Sequence, residues 1–257
     1  MPLFLGITCL MQEPTVVETE STTAATTSAT KAQPEEDNPL EFYKTPEWVT
    51  DIALRRLALS AFRRPLRFLD PAAGDGAILS RLRDLVHPDS TFHAIELDAD
   101  RAKMCSDLGF QTLQGDAFAL AWPEVDVVII NPPFSYSLEF LQKAFYLWKA
   151  GNIETVAFFS RMAVLETPTR STWIREHMPN RISAIPTRIT FEVREGSKAT
   201  TAQWQHIWMF WDPPLGGGLG EAQQLSQLEI VPTAECTQRL VQKKKAPRRS
   251  RKTVEGT

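Results

Sequence analysis

The chain has 257 residues, of which 43% are hydrophobic and 23% are charged, a composition typical of a globular protein with a sizeable core. Its three cysteines are far apart and form no CxxC pair, which argues against a zinc site or a disulfide framework and favours a reducing compartment such as the cytoplasm. No apolar run reaches the roughly 18 residues that a membrane helix needs. The net charge of −3 is unevenly distributed: residues 1–42 hold seven acidic residues and one lysine, and residues 243–252 hold seven basic residues. We therefore expect neither a metal nor a membrane partner.

Residues 1–41 are predicted to be a disordered leader. The stretch TESTTAATTSATKAQPEEDNP has no apolar period and buries too little surface to offset the entropy of ordering it. The first eleven residues are apolar, but they lack the basic flank and the cleavage site of a signal peptide, and a start at Met11 instead of Met1 is an alternative interpretation.

Helix and strand patterns alternate from Phe42 onward. A helix is predicted for TPEWVTDIALRRLALSAF, with Pro46 at its first helical position. Strands are predicted for RFLD, TFHAIELD, FQTLQ, VDVVII and IETVAFFSRMAVL, and AILSRLRDLV, DADRAKMCSDLG and SLEFLQKAFYLWKAG have the apolar spacing of helices. This alternation indicates right-handed βαβ units and a parallel sheet that is covered on both faces.

The end of the predicted domain differs from its start. After a helix at STWIREHM, the segments RISAIPTRITFEV and TAQWQHIWMFWD predict two strands joined by REGSKAT, and such a hairpin adds an antiparallel strand to a parallel sheet. PPLGGGLG then indicates a linker. We therefore expect one domain over residues 42–213, followed over residues 214–257 by a linker and a basic tail in which only LSQLEIV has an ordered pattern.

The first candidate site motif is DPAAGDG, Asp70–Gly76, which follows the first predicted strand at the edge where open α/β sheets bind ligands. Its two glycines allow a tight turn and a close approach of the backbone to a ligand. The acidic residues disfavour a phosphate, and the segment lacks the Lys-Ser/Thr of a phosphate loop and the full GxGxxG spacing. The motif therefore favours a ligand with amino and hydroxyl donors, including a cationic one, and a plain strand–helix turn is the alternative.

Two more acidic residues follow the next two predicted strands. Glu96 ends the second strand about 20 residues after the glycines, where a carboxylate can accept hydrogen bonds from both hydroxyls of a ribose. Asp98 is an alternative at that strand end but is more typical of a helix cap. Asp116, in GDAF, is placed to accept from the exocyclic amine of an adenine, or to cap the next turn.

The most informative motif is Asn-Pro-Pro-Phe, Asn131–Phe134, directly after VDVVII. Two prolines cannot continue a central strand, and they offer no N–H to compete for the carbonyls around them. The Asn131 carboxamide oxygen and the Pro132 carbonyl can accept both N–H bonds of a planar amine, while Phe134 stacks on the attached ring. Such acceptors lower the free energy needed to turn a conjugated amine into a tetrahedral nucleophile.

With these motifs in this order, residues 42–212 resemble class I S-adenosylmethionine-dependent methyltransferases of the amino-methylating group that carries (Asn/Asp)-Pro-Pro-(Tyr/Phe). FYKTP, ahead of the first strand, is similar to the segment that small phage- and prophage-type DNA adenine methyltransferases place there. The resemblance implies a Rossmann-like, doubly wound, mostly parallel seven-stranded sheet whose terminal hairpin is antiparallel. It also implies S-adenosylmethionine as the cofactor.

The resemblance assigns a role to each matching residue. It implies cofactor contacts at Thr45 and Pro46 for the methionine end, at Asp70, Pro71, Ala72, Gly74, Asp75 and Gly76 for the methionine and ribose, at Glu96 for the ribose hydroxyls, at Asp116 and Ala117 for the adenine, and at Asn131. It implies catalytic residues at Asn131, Pro132, Pro133 and Phe134, which would hold a flipped target base. The expected reaction is methyl transfer to the N6 amine of adenine in DNA.

DNA is the expected partner, with RNA as an alternative, and we expect a monomer or weak dimer. A polyanion needs basic residues, and the candidates for binding phosphates are Arg161, Lys243, Lys244, Lys245, Arg248 and Arg249. The chain offers no room for a separate recognition domain between Phe134 and Trp211, so relaxed target specificity is expected. Other hypotheses are methylation of an RNA adenine or guanine, methylation of a protein glutamine, and a non-catalytic nucleic-acid-binding module.

Overall fold

A computed structural model of the chain describes residues 42–57, 64–191, 200–213 and 227–236. Its helices are α1 (Glu47–Arg56), α2 (Ala77–Arg83), α3 (Ala99–Asp107), α4 (Ser137–Lys149) and α5 (Pro168–Glu176). Its strands are β1 (Arg67–Asp70), β2 (Thr91–Glu96), β3 (Gln111–Gln114), β4 (Val127–Ile130), β5 (Thr155–Arg161), β6 (Arg181–Ile185), β7 (Thr190–Phe191), β8 (Thr200–Thr201), β9 (His206–Trp211) and β10 (Gln227–Ile230). Short 3-10 turns lie at Phe134–Tyr136 and Met162–Leu165. The predicted leader and the basic segment 243–252 lie outside the described residues.

The main sheet has the strand order β10-β6-β9-β5-β4-β1-β2-β3. All neighbours are parallel except β9, which lies antiparallel between β5 and β6. The predicted α/β class, mostly parallel sheet and antiparallel closing strand are therefore confirmed. The sheet has eight strands instead of seven because β10, within LSQLEIV, adds a parallel edge strand to β6. That strand lies beyond residue 213, where the sequence suggested that the folded domain ends.

The two predicted closing strands each divide into two shorter strands. RISAIPTRITFEV forms β6 and β7, and the break falls at Pro186, which has no N–H to donate to a sheet ladder. The second segment forms β8 and β9. The hairpin of the main sheet therefore consists of β6 and β9, whereas β7 and β8 pair separately as a two-stranded ribbon.

Alternating residues of the central strand β4 face opposite sides of the sheet. Val127 and Ile129 pack into a cluster that includes residues of α1, α2 and α3, and Val128 and Ile130 pack into a second cluster with α4 and α5. All four side chains are buried, as expected for a parallel strand covered on both faces. No helix among the described residues is long and apolar enough to cross a lipid bilayer.

The parallel strands bring the predicted motifs to one edge of the sheet. β1 ends at Asp70, β2 at Glu96, β4 at Ile130 and β5 at Arg161, and the carboxyl ends of parallel strands meet at the same edge. The neighbours β1, β2 and β4 thereby place the Asp70–Gly76 turn, Glu96 and the Asn-Pro-Pro-Phe motif side by side, at the position where open α/β sheets bind ligands.

Candidate active site

A cavity of about 200 Å³ opens at this edge of the sheet. Its lining includes most of the predicted site residues, namely Thr45, Asp70, Pro71, Ala72, Gly74, Asp75, Glu96, Asp116, Ala117, Asn131, Pro132 and Pro133. Pro46, Gly76, Phe134 and Arg161 are predicted site residues that do not line this cavity. The structure therefore brings the cofactor and amine motifs together around one space.

One wall of the cavity is formed by residues 42–45, which we call the strap. Lys44 Nζ lies 2.7 Å from Asp75 Oδ2, an ion pair that holds the strap to the glycine-rich turn. Gly74 has a φ of +56°, and a Cβ there would lie 2.5 Å from Cε2 of Phe42, so the Phe42 ring lies directly on this glycine. FYKTP was the sequence signal for the strap, but the roles of Phe42 and Lys44 were missed.

Gly76 lies on the side of the same turn that packs against the core. Its φ is +77°, and a Cβ there would lie 2.9 Å from the Phe110 ring. Gly76 therefore allows α2 to begin against the core, and it shapes the turn without facing the cavity. Pro46 likewise precedes α1 with an extended backbone and directs the strap toward the cavity.

Glu96 is buried and links three elements of the site. Its Oε2 accepts from the Gly74 N–H at 2.8 Å, and its Oε1 accepts from the Asp98 N–H at 3.0 Å. Arg101 also donates to Oε1, through Nη2 at 3.1 Å. Because a carboxylate oxygen has two lone pairs, Oε2 can accept one further bond from a hydroxyl. Asp98 caps α3 by accepting from the Arg101 N–H, as its position after the strand suggested.

Three acidic residues, Asp70, Asp75 and Glu96, lie on the glycine-rich side of the cavity. Asp70 is only 1% exposed, and burial raises its pKa to about 8, with the nearby charges of Glu96 and Asp75 adding to the shift. A hydrogen bond from the Ala72 N–H opposes that shift. Within the described ranges, no group of three or more His, Cys, Asp and Glu residues is arranged to hold a metal ion. The carboxyl groups on this side suit an organic cation that carries hydrogen-bond donors.

The loop after β3 forms the far side of the cavity. Asp116 Oδ1 accepts from the Phe118 N–H at 2.8 Å, so Asp116 organises this turn. Lys143, on α4, donates to the carbonyls of Ala117 at 2.7 Å and Leu120 at 2.8 Å and so fixes the loop. Burial lowers the pKa of Lys143, and the charge of Asp116 opposes that shift.

Two apolar side chains of the cavity lining were missed by the sequence analysis. Both line the cavity with exposed apolar surface, Leu97 being 43% exposed and Phe118 40% exposed. Only their positions in the sequence could have indicated them: Leu97 directly follows Glu96, and Phe118 lies two positions after Asp116. Exposed apolar surface in a cavity that also holds Asp116 suits a flat heteroaromatic ring with an amine substituent.

Asn131 lies at the carboxyl end of β4 with its carboxamide held by the strap. Its Nδ2 donates to Thr45 Oγ1 at 2.9 Å and to the Tyr43 carbonyl at 3.3 Å. Its Oδ1 is buried and has no hydrogen-bond partner among the residues that the structure describes. A buried acceptor without a partner is unfavourable unless a ligand satisfies it. Pro132 and Pro133 follow without an N–H of their own.

Phe134 is placed differently from the expectation that it stacks on a ligand at the cavity. Its side chain is only 8% exposed and does not line the cavity, and it begins the 3-10 turn that leads into α4. The Arg161 guanidinium lies 3.9 Å from its ring centroid, and the Tyr43 ring packs against it at 5.3 Å. Arg161 thus contacts the Asn-Pro-Pro-Phe motif, which its position in the sequence did not indicate.

His206 lies beside this aromatic group and is paired with Arg161 in the β5–β9 ladder. Its ring stacks on Phe159 at 5.2 Å and is 1% exposed. Burial, together with the charge of Arg161, lowers its pKa to about 4. The imidazole is therefore neutral at physiological pH.

Comparison with known proteins identifies the fold. No protein-family model and no curated protein matches the sequence. A candidate RNA methyltransferase of Pyrococcus horikoshii is 19% identical over 69% of this chain and 90% of that chain, with a TM-score of 0.53. A candidate class I S-adenosylmethionine-dependent methyltransferase of Listeria monocytogenes is 15% identical over 77% of this chain and 70% of that chain, with a TM-score of 0.53. The chain therefore has the class I methyltransferase fold.

Proposed function

We propose that this chain transfers a methyl group from S-adenosylmethionine to the exocyclic N6 amine of adenine in DNA. The observation that carries the proposal is the buried Asn131 Oδ1, which lies beside Pro132 at the edge of the cavity and has no partner in the described part of the chain. A neutral acceptor in this position suits an –NH₂ group better than a carboxylate or phosphate, because those groups offer no N–H.

The residues around the cavity fit the cofactor. S-adenosylmethionine carries a cationic sulfur, an ammonium group, a ribose diol and an adenine, and it supplies a methyl group that an amine can attack. On the glycine-rich side of the cavity, Asp75 favours the cationic end, and Asp70 adds to this attraction once its proton has left. Glu96 retains an acceptor for a ribose hydroxyl. Asp116, with Leu97, suits the adenine.

The chain's own residues contribute positioning and electrostatic stabilisation. Asn131 Oδ1 and the Pro132 carbonyl accept the two N–H bonds of the target amine and favour the pyramidal geometry in which its lone pair is available for attack. S-adenosylmethionine held by Glu96 and Asp116 would supply the methyl group, its sulfur retaining the electrons of the methyl–sulfur bond as the new N–methyl bond formed. The methylated amine then loses a proton to solvent, since a protonated aromatic amine is a strong acid. His206, with its low pKa and buried ring, is not needed as a base.

Adenine in a duplex must leave the base stack to reach Asn131. For that base to stack on the Phe134 face that Arg161 covers, Arg161 has to move aside. Once displaced, its guanidinium is available for a phosphate of the same strand, and the basic segment 243–252 adds sequence-independent attraction to a polyanion.

The test is transfer of label from methyl-labelled S-adenosylmethionine to adenine-containing DNA, to RNA and to protein in parallel, with nuclease digestion to identify the acceptor. We expect label in DNA, none after treatment with deoxyribonuclease, and none with Asn131→Ala. Label in RNA instead would fit the description of the P. horikoshii structure and would overturn the DNA assignment. Nuclease-resistant label would indicate a protein acceptor.

A further inference from the structure

We propose that Thr45 is a positioning residue, which holds the Asn131 carboxamide with its oxygen directed to the target amine. The inference rests on the proposed function and adds to it a link between the strap and the reacting group. Thr45 and Asn131 are 86 positions apart in the chain, yet Asn131 Nδ2 donates to Thr45 Oγ1 at 2.9 Å.

The orientation of the carboxamide follows from the partners on its nitrogen side. A carboxamide can adopt two orientations that exchange its oxygen and nitrogen, and the correct one is decided by its hydrogen bonds. The Tyr43 carbonyl, 3.3 Å from Nδ2, can only accept, so the reversed orientation would bring two acceptors together. The Thr45 hydroxyl can donate as well as accept, so the Tyr43 carbonyl selects the orientation. The shorter bond from Nδ2 to Thr45 then anchors the carboxamide in that orientation, which leaves Oδ1 as the unsatisfied acceptor.

The strap is well suited to hold this geometry. Thr45 is 5% exposed and precedes Pro46, which restricts Thr45 to an extended backbone. On one side of Thr45, α1 is anchored in the core through Val49, and on the other side Lys44 is bound to Asp75. The Thr45 oxygen therefore has little freedom to leave the carboxamide.

The orientation of Asn131 decides whether the site has an acceptor. Reversal would present the two N–H groups of Nδ2 to the N–H groups of the substrate amine, and neither partner could accept. The rate of methyl transfer therefore falls with the fraction of molecules in which the carboxamide is reversed or mobile. Removal of the Thr45 oxygen is therefore expected to slow methyl transfer at saturating cofactor, in addition to any loss of the cofactor contact that the resemblance implies for Thr45.

The first test measures the carboxamide directly and needs no activity. The chain has four asparagines, so ¹⁵N-asparagine labelling gives four side-chain amide pairs, and the pair lost in Asn131→Ala is that of Asn131. We expect the Asn131 pair to be rigid and slowly exchanging in the wild type. In Thr45→Val, which keeps the shape but lacks the acceptor, hydrogen exchange of this pair should accelerate about tenfold, the factor for one hydrogen bond of typical strength. An unchanged pair in Thr45→Val overturns the proposal.

The second test is a double-mutant cycle measured by single-turnover methyl transfer at saturating S-adenosylmethionine. Thr45→Val should lower the rate about tenfold. Thr45→Ser, which keeps the hydroxyl, should have a rate within about twofold of the wild type. If the valine variant is unfolded, Thr45→Ala takes its place. In the Asn131→Ala background, the same change should alter the residual rate by less than about twofold because the coupling is gone.

Other outcomes of the cycle exclude the role. Equal losses in both backgrounds, failure of serine to restore the rate, or a weakened cofactor affinity with an unchanged rate each assign Thr45 to packing or cofactor binding instead. The proposed function fails separately: if the wild type methylates no acceptor while the Asn131 amide responds to Thr45→Val, the positioning contact stands and the reaction is different.

Discussion

The two halves of the cavity are built on different electrostatic principles. Around the glycine-rich turn, Asp75 and Glu96 carry negative charge that Lys44 and Arg101 partly offset, and Asp70 adds a further charge once it loses its proton. Around Asn131, the polar groups are neutral dipoles held by the backbone and by one hydroxyl. Charge favours binding of a cation, whereas oriented dipoles favour a particular change in geometry. The difference predicts that mutations in the acidic half affect affinity and mutations in the neutral half affect turnover.

The largest expected effect is that of Asn131→Ala. Loss of a preorganised partner for the reacting group lowers turnover by a factor of about 10² to 10³, by analogy with the removal of one oxyanion-hole donor. Affinity for the cofactor, measured by calorimetry, should change less than about threefold, because the Asn131 carboxamide oxygen is expected to contact the reacting amine and not the cofactor. Asn152→Ala, at an exposed position in the turn before β5, is the matched control. Near-normal turnover of Asn131→Ala would contradict the assignment of turnover to the neutral half of the cavity.

Glu96→Ala is expected to show the reverse behaviour. It removes a charged acceptor and releases the Gly74 N–H that Glu96 holds, so the dissociation constant of S-adenosylmethionine should rise about 10- to 100-fold. Turnover at saturating cofactor should stay within about threefold of the wild type. Glu176→Ala, which changes an exposed glutamate at the end of α5, controls for the loss of one negative charge. A loss of turnover with unchanged affinity contradicts this division of roles.

Gly74→Ala tests whether the strap packs on the turn as described. The positive φ is unfavourable for alanine, and its Cβ would also lie 2.5 Å from Phe42, so the free energy of unfolding should fall by about 2–3 kcal/mol. Gly151→Ala is a matched control, because Gly151 has a φ of +79° with nothing within 4 Å of its Cβ position. That variant should lose only about 1 kcal/mol in urea unfolding. Equal losses would mean that the Phe42 contact is absent.

The smallest effect is a pH dependence of cofactor affinity. The pKa of Asp70 is raised to about 8, so its carboxyl is mainly protonated below that pH, and a cation binds more tightly once the proton has left. Affinity should therefore rise as pH increases toward 8, by at most about tenfold per pH unit, and then level off. Calorimetry in buffers of different ionisation enthalpy should detect proton release on binding. If Asp70→Asn keeps the same pH profile, another group is responsible.

The placement of the acidic residues around the cavity was readable from the sequence because it depends on strand ends. Asp70 and Glu96 end strands whose apolar pattern is local, Asp116 follows the short strand β3, and the parallel sheet then brings the three residues together. The contacts of the amine half join distant parts of the chain. Neither the bonds from the strap to Asn131 nor the Arg161–Phe134 contact has a local pattern that predicts it.

In the main sheet, too, the sequence predicts the central strands but not the edge strand β10. The central strands were predictable because uninterrupted apolar runs have few alternatives, as in VDVVII. The edge strand β10 is mostly exposed, with Leu228 71% exposed and Ile230 72% exposed, so it has no buried pattern to identify it as part of the sheet. Its place depends on pairing with β6, which lies more than 40 positions earlier.

The most direct test of the central claim is the identity of the methylated atom. DNA of mixed sequence is incubated with the full chain and methyl-labelled S-adenosylmethionine, digested to nucleosides, and analysed by mass spectrometry. The structure and sequence together predict labelled N6-methyldeoxyadenosine with the wild type and its loss with Asn131→Ala. Labelled cytosine, or label that is independent of Asn131, would contradict the assignment of the Asn131 carboxamide oxygen as the acceptor for an adenine amine.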